Sequence, residues 1–452
     1  MKKQIISLGL ILTACFAFGQ KWISVGSGLS ANNSYDATYN GVNALDSING
    51  LLYVGGSFDT AGGIQVHNIA TWNGSSWSAL GGGISGTVCA IIKFNGNIIA
   101  GGNFTTADGI PVNNIAMWNG TSWSALGAGI TGGAYQHTVK ALAVYNGNLI
   151  AAGYFTTAGG IAANSIAQWN GTSWDSLGAG VNSQVNSLAV YNNTLYAGGY
   201  FTTAGTDSVN QLASWNGTAW DSIPTWKYST KPYGVRVLTI YNNHLCVAVD
   251  GGISEWNGTK IDTGMSYNGG QAIGAMFPYQ GHFIVGGAGV DRVILSYGSN
   301  GWDTLGDGII SCGVACATLG GTMEPIEVYT IAGYDGHLYA GGSGFSVDTY
   351  PNPGWDLGEY TGIVGINEIK ETKTITVYPN PSNGLFTIKE LGIRDKEQVE
   401  VYNMLGEKIY YEPIISNSQF VIDLSSQASG VYLYRITNMD GSLVSTGKLI
   451  KE

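Results

Sequence analysis

The sequence predicts an all-β protein, and three of its features carry this prediction. Glycine accounts for 69 of 452 residues, and only 11% of the residues are charged while 44% are hydrophobic. This composition excludes a charged disordered chain and favours short strands joined by tight turns. A Trp-Asn-Gly-x-x-Trp motif recurs along the chain. Asn-Gly, Asn-Asn and Asp-Gly pairs, which accept the positive φ angles of two-residue hairpin turns, recur with it.

The recurring unit predicts four strands. Each of seven copies contains a β-branched residue six positions before an aromatic residue or isoleucine. A turn pair usually follows, then a Gly-Gly strand, a longer loop, an Ile-Ala-x-Trp strand and a Trp-x-x-Leu-Gly strand. Four antiparallel strands in about 45 residues are the pattern of a propeller blade, so residues 20–366 are predicted to form a seven-bladed β-propeller. The paired positions are Val42/Ile48, Val88/Phe94, Val139/Tyr145, Val185/Tyr191, Val235/Tyr241, Ile273/Tyr279 and Val328/Tyr334.

Both ends of this region are predicted to contribute to one blade. The seventh copy reaches Tyr360, which corresponds to a third strand, and no fourth strand follows it. Residues 22–28 align instead with residues 77–83, the fourth strand of the first copy. We therefore expect the N-terminal strand to complete the last blade and close the propeller, which protects strand edges. The repeats resemble kelch-like and galactose-oxidase-like propellers, a fold with many functions, so this resemblance implies no activity.

The N-terminus has the pattern of an export signal over residues 1–19. Two lysines precede an apolar stretch, and Ala17-Phe18-Gly19 provides a small-x-small cleavage site before Gln20. Residues 12–15 also resemble a lipobox, in which Cys15 would carry a lipid, but ordinary cleavage is the preferred interpretation. No later segment reaches the roughly 18 apolar residues that a membrane-spanning helix needs. We therefore expect an exported mature chain without a transmembrane segment.

The last 80 or so residues differ from the repeats, because charged residues are nearly three times as frequent there. We predict a linker at residues 367–373 and, over residues 374–452, a small Ig-like antiparallel β-sandwich in which Asn-Pro, Asn-Gly and Asp-Gly turns separate alternating strands. Characteristic elements follow in order: Tyr378-Pro379-Asn380-Pro381, Val401-Tyr402-Asn403 with Gly406, Asp423-Leu424-Ser425, Gly430-Val431-Tyr432 and Lys448-Leu449-Ile450-Lys451.

These elements closely resemble the type A C-terminal sorting domain of the type IX secretion system. The resemblance implies export to the periplasm, passage through the outer membrane by the secretion machinery, and a location outside the cell or on its surface. It also implies that the tail is usually removed and that the cargo is often attached to surface lipopolysaccharide. The alternative for this segment is an appended carbohydrate-binding sandwich.

The sequence predicts no catalytic residues, no cofactor site and no metal site. Two GxGxxG matches, at residues 81–86 and 127–132, lie between predicted blades rather than at the start of a helix. The cysteines match no zinc pattern, and three of the five histidines share a slot after a hairpin turn. Asp175, Asp221 and Asp303 share a slot on the outer strand. The net charge of −11 argues against nucleic acid as a partner, because the sequence contains no basic patch.

The best functional indication is the placement of the long loops. In a four-stranded blade the second-to-third loop and the blade-to-blade loop open on one face, so the insertions gather on one rim. Exposed aromatic residues there suit stacking on sugars or contact with a protein, and the alternative is that they cover their own loops. The candidate ligand-binding rim consists of Tyr35, Tyr39, Tyr135, His137, Trp226, Tyr228, Tyr233 and Tyr267.

Two covalent modifications are also predicted. Cys312 and Cys316 lie in a long loop of an exported protein and could form a disulfide, whereas Cys89 and Cys246 fall inside strands and are expected to be small buried hydrophobes. Asp followed by Ser or Thr and then an aliphatic residue or Ala resembles the O-glycosylation pattern of Bacteroidetes-like bacteria, although three matches share one strand slot. The candidate sites are Ser47, Thr60, Ser176, Ser208, Ser222 and Thr304.

Together these features predict a non-catalytic binding protein, exported to the cell surface or the medium, with a glycan or a surface protein as its ligand. Two alternatives remain open at this stage: an extracellular enzyme that acts on polysaccharide, and a structural adhesin.

Overall fold

Every regular element that the structure describes is a β-strand. The computed structural model describes residues 22–30, 41–132, 138–223, 234–249, 252–262, 272–289, 294–298, 301–305, 310–311, 326–346, 355–360, 376–389, 397–403, 408–414, 420–438 and 443–452. The chain divides into two compact units, Met1–Val364 and Gly365–Glu452. Among the described residues, the structure contains no helix that could cross a membrane. The predicted signal peptide and the predicted linker lie outside the described residues.

The first unit repeats one pattern of antiparallel strands, in which the first strand of each repeat pairs with the second, and the second with the third. The first strands are Gly41–Ile48, Thr87–Phe94, Thr138–Tyr145, Val185–Tyr191, Val235–Tyr241, Ile273–Tyr279 and Ile326–Tyr334. The second strands are Leu51–Ser57, Asn97–Asn103, Asn148–Tyr154, Thr194–Gly199, His244–Val249, His282–Gly289 and His337–Ser346. The third strands are Ile69–Trp72, Ile115–Trp118, Ile166–Trp169, Leu212–Trp215, Gly252–Trp256, Ile294–Gly298 and Trp355–Tyr360.

A fourth strand pairs with the third in repeats 1 to 6. These strands are Trp77–Ala79, Trp123–Ala125, Trp174–Ser176, Trp220–Ser222, Ile261–Asp262 and Gly301–Thr304. Shorter strands accompany this pattern: Leu29–Ser30, Thr60–Ala61, Ile64–Gln65, Thr106–Ala107, Ile110–Pro111, Ile130–Thr131, Thr157–Ala158, Ile161–Ala162, Thr203–Ala204, Asp207–Ser208 and Ile310–Ser311. Repeated four-stranded antiparallel sheets make the first unit propeller-like.

The turn between the first and second strands has the predicted chemistry. Asn49 and Gly50 have φ angles of 53° and 75°, and Asn192 and Asn193 have φ angles of 48° and 58°. Positive φ at both central residues defines the type I′ turn, whose twist matches that of the flanking strands. The prediction of type I′ hairpins from the Asn-Gly and Asn-Asn pairs is therefore confirmed at these positions.

The N-terminal strand Trp22–Ser24 pairs antiparallel with the third strand of repeat 7, with Trp22 opposite Tyr360 and Ser24 opposite Gly358. The Trp22 and Tyr360 rings pack with centroids 5.4 Å apart, which matches the 5.4 Å between Trp118 and Trp123 in repeat 2. Trp22 therefore occupies in repeat 7 the place that a fourth-strand tryptophan occupies elsewhere.

The first strands lie side by side. Each one contacts the first strands of the repeats before and after it, and the first strand of repeat 7 contacts that of repeat 1. Between repeats 6 and 7 there is also direct backbone pairing, because Ala288 lies opposite Glu327 and Gly289 opposite Ile326. The apolar core lies between successive sheets, where residues such as Val42, Val88 and Val139 are fully buried.

The second unit contains two antiparallel sheets. One pairs Thr376–Tyr378, Leu385–Lys389 and Phe420–Asp423, and the other pairs Lys408–Ile414, Glu397–Tyr402, Gly430–Asn438 and Leu443–Lys451 in that order. Phe386 and Ile388 from the first sheet and Val399, Val401 and Ile436 from the second are fully buried in one core. The two sheets therefore share a single apolar interior.

Candidate ligand-binding site at the start of the first strands

All seven first strands contain a β-bulge near their beginning. In repeat 1, Val42 lies opposite Gly56 and Ala44 opposite Gly55, so Asn43 has no cross-strand partner. A bulge leaves one residue out of the ladder and redirects its side chain, and bulges are frequent beside functional sites. The bulge set, as we call these residues, is Asn43, Cys89, Lys140, Asn186, Arg236, Gly274 and Tyr329.

The Gly-Gly pair of the second strand makes this arrangement fit. A side chain on Gly56 would collide with the carbonyl oxygen of Gly41, which precedes the bulge. A Cβ on Gly55 would lie 2.6 Å from Cγ1 of Val88 in the next repeat, so the first glycine lets neighbouring sheets approach closely. The second glycine of the motif is thus required by the bulge of its own repeat, and the first glycine by the close packing of the next repeat.

Bulge residues of neighbouring repeats lie beside each other. The Asn186 side-chain amide donates a hydrogen bond to the carbonyl oxygen of Val235, 2.9 Å away, directly before Arg236. A Cβ on Gly274 would point at the carbonyl oxygen of Val328 and lie 3.8 Å from Cα of Tyr329. Because the first strands contact one another in order, the bulge set gathers at the end of the strands where the chain enters them.

The electrostatics of the bulge set centre on Lys140. Burial lowers the pKa of Lys140 and the nearby Arg236 guanidinium lowers it further, whereas Cys89 would raise it only as a thiolate. Arg236 comes from repeat 5 and Lys140 from repeat 3, so these side chains influence each other across repeat 4. Burial raises the pKa of Cys89 to about 11, only partly offset by Lys140. At neutral pH this favours the neutral thiol over the thiolate at Cys89.

Lys140 is enclosed by protein on several sides, yet its side chain remains in contact with water. Its side chain is exposed to solvent, whereas the surrounding protein is dense enough to lower its pKa by burial. Both observations hold for a side chain in a solvent-filled recess, where water reaches the ammonium group but protein encloses it on most sides. Cys89 and Arg236 are half-buried in the same surroundings.

Cations are concentrated at this site. Within the described part of residues 22–360 there are four lysines and arginines, Lys93, Lys140, Arg236 and Lys260, and two of them belong to the bulge set. Lys93 lies at the other end of its strand, where its ammonium donates a 2.7 Å hydrogen bond to Asn49. Two of the four described basic residues of this unit therefore belong to the bulge set.

The predicted rim residues Tyr35, Tyr39, Tyr135, His137, Trp226, Tyr228, Tyr233 and Tyr267 lie outside the described residues, as do Cys312 and Cys316. Their segments nevertheless lead directly into bulged strands: residues 31–40 precede the strand of Asn43, 133–137 that of Lys140, and 224–233 that of Arg236. The rim thus adjoins the bulge set along the chain. Sequence reasoning had missed the bulge set itself.

The candidate glycosylation residues differ in accessibility. Ser47 and Ser208 are exposed, whereas Thr60, Ser176 and Ser222 are half-buried. Thr60 shares a short hydrogen bond with Ser30, and the backbone amide of Ser176 donates a 2.8 Å hydrogen bond to the Asp175 carboxylate. Thr304 ends the strand Gly301–Thr304, and its side chain lies outside the described part.

The other reactive groups have structural surroundings. His244 lies 3.8 Å from the Glu255 carboxylate and His337 lies 2.9 Å from that of Glu359, each on the neighbouring strand of its own sheet. His282 lies 3.0 Å from the Ser296 hydroxyl. Among the described residues, no three His, Cys, Asp or Glu side chains group as metal ligands would.

The two cysteines expected to be buried hydrophobes differ. Cys246 is fully buried, and burial raises its pKa to about 12. Cys89 is only half-buried and belongs to the bulge set beside Lys140. The description as a small buried hydrophobe therefore suits Cys246 but is incomplete for Cys89.

Comparison with known proteins identifies the tail. Residues 376–452 match the family of secretion system C-terminal sorting domains, the address for export by the type IX secretion system to the cell surface or beyond. The comparison with curated proteins gives no match.

Several solved structures are similar in fold at low identity. PorZ, a surface component of the type IX secretion system of Porphyromonas gingivalis, is 14% identical over 90% of this chain and 59% of its own, with a TM-score of 0.47. The extracellular domain of a hybrid two-component system from Bacteroides thetaiotaomicron is 11% identical over 95% of this chain and 57% of its own, with a TM-score of 0.47. A fungal alcohol oxidase in complex with copper is 12% identical over 92% and 86%, with a TM-score of 0.33. The chain thus spans less than two thirds of the first two, and such likenesses imply no ligand or activity.

Proposed function

We propose that this protein is an exported, non-catalytic binding protein: a seven-bladed β-propeller that captures a glycan or a surface protein outside the cell. The observation that carries the proposal is the bulge set, which includes Lys140 and Arg236 near the start of first strands that directly follow the long-loop segments in the chain. The sorting tail delivers this propeller to the secretion machinery, and an Ig-like sandwich is the arrangement that its two sheets support.

Closure of the propeller is supported by hydrogen bonds between repeats. In repeats 2 to 4 the fourth-strand tryptophan donates its indole N–H to a carbonyl oxygen of the preceding repeat, as Trp123 does to Leu80 over 2.9 Å. Trp22 donates in the same way to Leu305 over 3.3 Å, and Trp77 to Gly26 over 3.2 Å. These bonds link the N-terminal strand to repeats 6 and 1 on its two sides.

A binding role fits the chemistry of the face better than a catalytic role. Cys89 is a neutral thiol at physiological pH, and Asp175 and Asp221 lie on fourth strands, opposite Gln168 and Ser214. The recess therefore offers cationic, amide and phenolic groups suited to holding a ligand.

The proposal is tested with the purified chain on a glycan array. We expect capture of specific glycans without release of reducing sugar. Replacement of both Trp226 and Tyr228 by Ala should abolish capture while leaving the melting temperature nearly unchanged, because these residues lie outside the repeated strands. Release of reducing sugar from bound polysaccharide would instead support an enzyme.

Trp123→Ala is the matched control for that experiment. Trp123 is 2% exposed and belongs to a fourth strand, and truncation of a buried aromatic side chain costs about 3–5 kcal/mol. This variant should unfold more easily whatever the ligand is. If the double variant in the rim melts as low as Trp123→Ala, its aromatic rings are loop cores and not a binding surface.

A further inference from the structure

The four-stranded sheet of the second unit turns one of its faces away from the core. Val399, Val401 and Ile436 are fully buried, and successive side chains of a strand point to opposite faces. The residues between them therefore lie on the outer face, together with the residues opposite them on the neighbouring strands. This outer face, which we call the Glu400 face, consists of Gln398, Glu400, Tyr402, Lys408, Tyr411, Leu433, Arg435 and Lys448.

Glu400 fixes two cations on this face. Its carboxylate accepts a 2.8 Å hydrogen bond from the Lys408 ammonium and a 2.7 Å hydrogen bond from Nη2 of Arg435. Nε of Arg435 donates to the same carboxylate over 3.0 Å, so Nη1 takes no part in these bonds. Both cationic side chains are nevertheless exposed. Their charges are therefore held in place and presented to solvent.

A third cation and two apolar side chains complete the Glu400 face. Lys448 lies opposite Leu433 on the neighbouring strand, and both side chains are exposed. Tyr411 is also exposed, and the Lys408 ammonium lies 5.4 Å from the centre of its ring. Glu400 is the only acidic residue that the structure describes on this face, so three cations leave the face with a positive net charge.

The edges of this sheet offer little to an additional strand. One edge strand, Lys408–Ile414, contains Pro413, which has no backbone N–H to donate. The other edge strand, Leu443–Lys451, is covered near its end by Asn380 and Ser382, which form hydrogen bonds with its last residues. We therefore expect a partner to contact the side chains of the face and not to extend the sheet.

We infer that the Glu400 face docks onto an acidic segment of a protein of the secretion machinery. Exposed cations complement carboxylates, and Leu433 and Tyr411 add the apolar contact that the centre of a protein interface needs. Because Glu400 already holds Lys408 and Arg435, these side chains lose little conformational freedom when the partner binds. The inference rests on the sorting role of the tail, which is part of the proposed function, and specifies how the tail is recognised.

An anionic membrane fits this face less well than an acidic protein segment. Each Lys or Arg near such a membrane contributes about 1 kcal/mol, and here Glu400 offsets one of three cations. A membrane also extends far beyond the face, so it would meet the acidic remainder of a chain whose net charge is −11. A short acidic segment can contact the cations alone.

Export of the full chain tests the face in cells. Lys448→Glu combined with Leu433→Asn changes two exposed side chains and leaves the hydrogen bonds of Glu400 in place. We expect this double variant to melt like the unaltered chain and to accumulate in the periplasm, because the partner no longer recognises the tail. Cell fractionation followed by mass spectrometry measures the accumulation.

The matched control is Lys93→Glu combined with Leu385→Asn. It changes the net charge equally, and Leu385 is 49% exposed on the outer face of the other sheet, against 48% for Leu433. This control should be exported like the unaltered chain. Normal export of the folded Lys448→Glu, Leu433→Asn variant, or equal retention of both double variants, would overturn the inference.

Isothermal titration of the full chain with hexaglutamate, and with hexaglutamine as the uncharged control, tests the chemistry of the partner. We expect hexaglutamate to bind, and to bind more weakly as salt is raised. Lys448→Glu should weaken this binding at least about tenfold, the scale of a hydrogen bond to a charged group, and Lys93→Glu should not. Absence of hexaglutamate binding, equally tight binding of hexaglutamine, or unchanged affinity in Lys448→Glu would refute an acidic partner at this face.

Vesicles of phosphatidylglycerol test the membrane as the partner. Binding to these vesicles that exceeds binding to hexaglutamate and is lost in Lys448→Glu would replace the protein partner by a membrane and overturn the inference. The inference and the proposed function fail separately. If removal of residues 374–452 stops export while the Lys448→Glu, Leu433→Asn variant is exported normally, the tail remains the sorting domain and the Glu400 face is not the surface that is recognised.

Discussion

Glu400 is a carboxylate surrounded by donors in the C-terminal unit. Its neighbours Val399 and Val401 are fully buried in the core, so Glu400 points to the opposite face of the sheet, yet it is only 4% exposed. Lys408, Arg435 and the Tyr402 hydroxyl cover it with hydrogen bonds of 2.8, 2.7 and 2.8 Å. Chiefly the bond from Lys408, with those from Tyr402 and Arg435, holds the pKa of Glu400 at about 2, although desolvation opposes this.

This residue should make the stability of the tail depend on pH. The folded pKa lies below the ordinary value of 4.5, so the stabilisation is complete above pH 4.5 and is lost as the pH falls towards 2. We expect a loss of about 1–2 kcal/mol across this window, because solvent around the exposed cations screens the interaction. Calorimetry of the full chain measures it, with the tail transition assigned by its absence after removal of residues 374–452.

Glu400→Gln should destabilise the tail at pH 7, and the stability of the tail should then change less between pH 5 and pH 2. Glu412→Gln, an exposed position on the neighbouring strand, should leave that dependence unchanged. If the tail of Glu400→Gln lost as much stability between pH 5 and pH 2 as the unaltered chain, Glu400 would not be the source of the pH dependence. The sequence could not predict this cluster, since Val-Glu-Val alternation indicates an exposed glutamate and Arg435 is 35 residues away.

The first strands show, at the scale of the element, what the sequence could have revealed. A Cβ on Gly55 would contact both Val88 and Ile91 of the next repeat, which are three residues apart in sequence. A Cβ on Gly101 would likewise contact Val139 and Leu142. In a regular strand such residues face opposite ways, so apolar spacing of three is the signature of a bulge. The turn pairs and the strand order were predictable because they depend on local residues. The bulge set was not predicted, because the repeats were identified by their turn pairs, Gly-Gly strands and tryptophans and not by the apolar spacing within each first strand.

The N-terminal strand is the element whose removal should matter most. Deletion of residues 21–28 removes Trp22, which packs on Tyr360, and the carbonyl of Gly26, which accepts from Trp77. We expect a lower melting temperature and more aggregation, because the third strand of repeat 7 becomes an open edge. Differential scanning calorimetry and light scattering measure the two effects.

Two point variants separate the contributions of this strand. Trp22→Ala should cost about 3–5 kcal/mol, as for other buried aromatic residues. Trp22→Phe keeps an aromatic ring but removes the donor to Leu305, and should cost about 1 kcal/mol for the lost hydrogen bond. A deletion variant that melts like the intact chain would show that the strand does not hold repeat 7.

At the scale of the whole molecule, the sorting domain and the proposed binding surface belong to different units. The sorting family matches residues 376–452, and the bulge set belongs to Met1–Val364. Removal of residues 374–452 should therefore leave a folded first unit that stays in the periplasm. Cell fractionation followed by mass spectrometry measures this, and Lys140→Gln, which alters only the recess, should be exported like the unaltered chain. Delivery of the truncated chain to the surface would contradict the role of the tail.

The pairing of Trp22–Ser24 with Trp355–Tyr360 also leads to an expectation about the order of folding. Trp22 bonds to a carbonyl 283 residues further along the chain. Contacts this distant in sequence form late, because the intervening chain must be ordered before its ends can meet. We therefore expect a chain that emerges N-terminus first to carry this strand unpaired until the last repeat has been made.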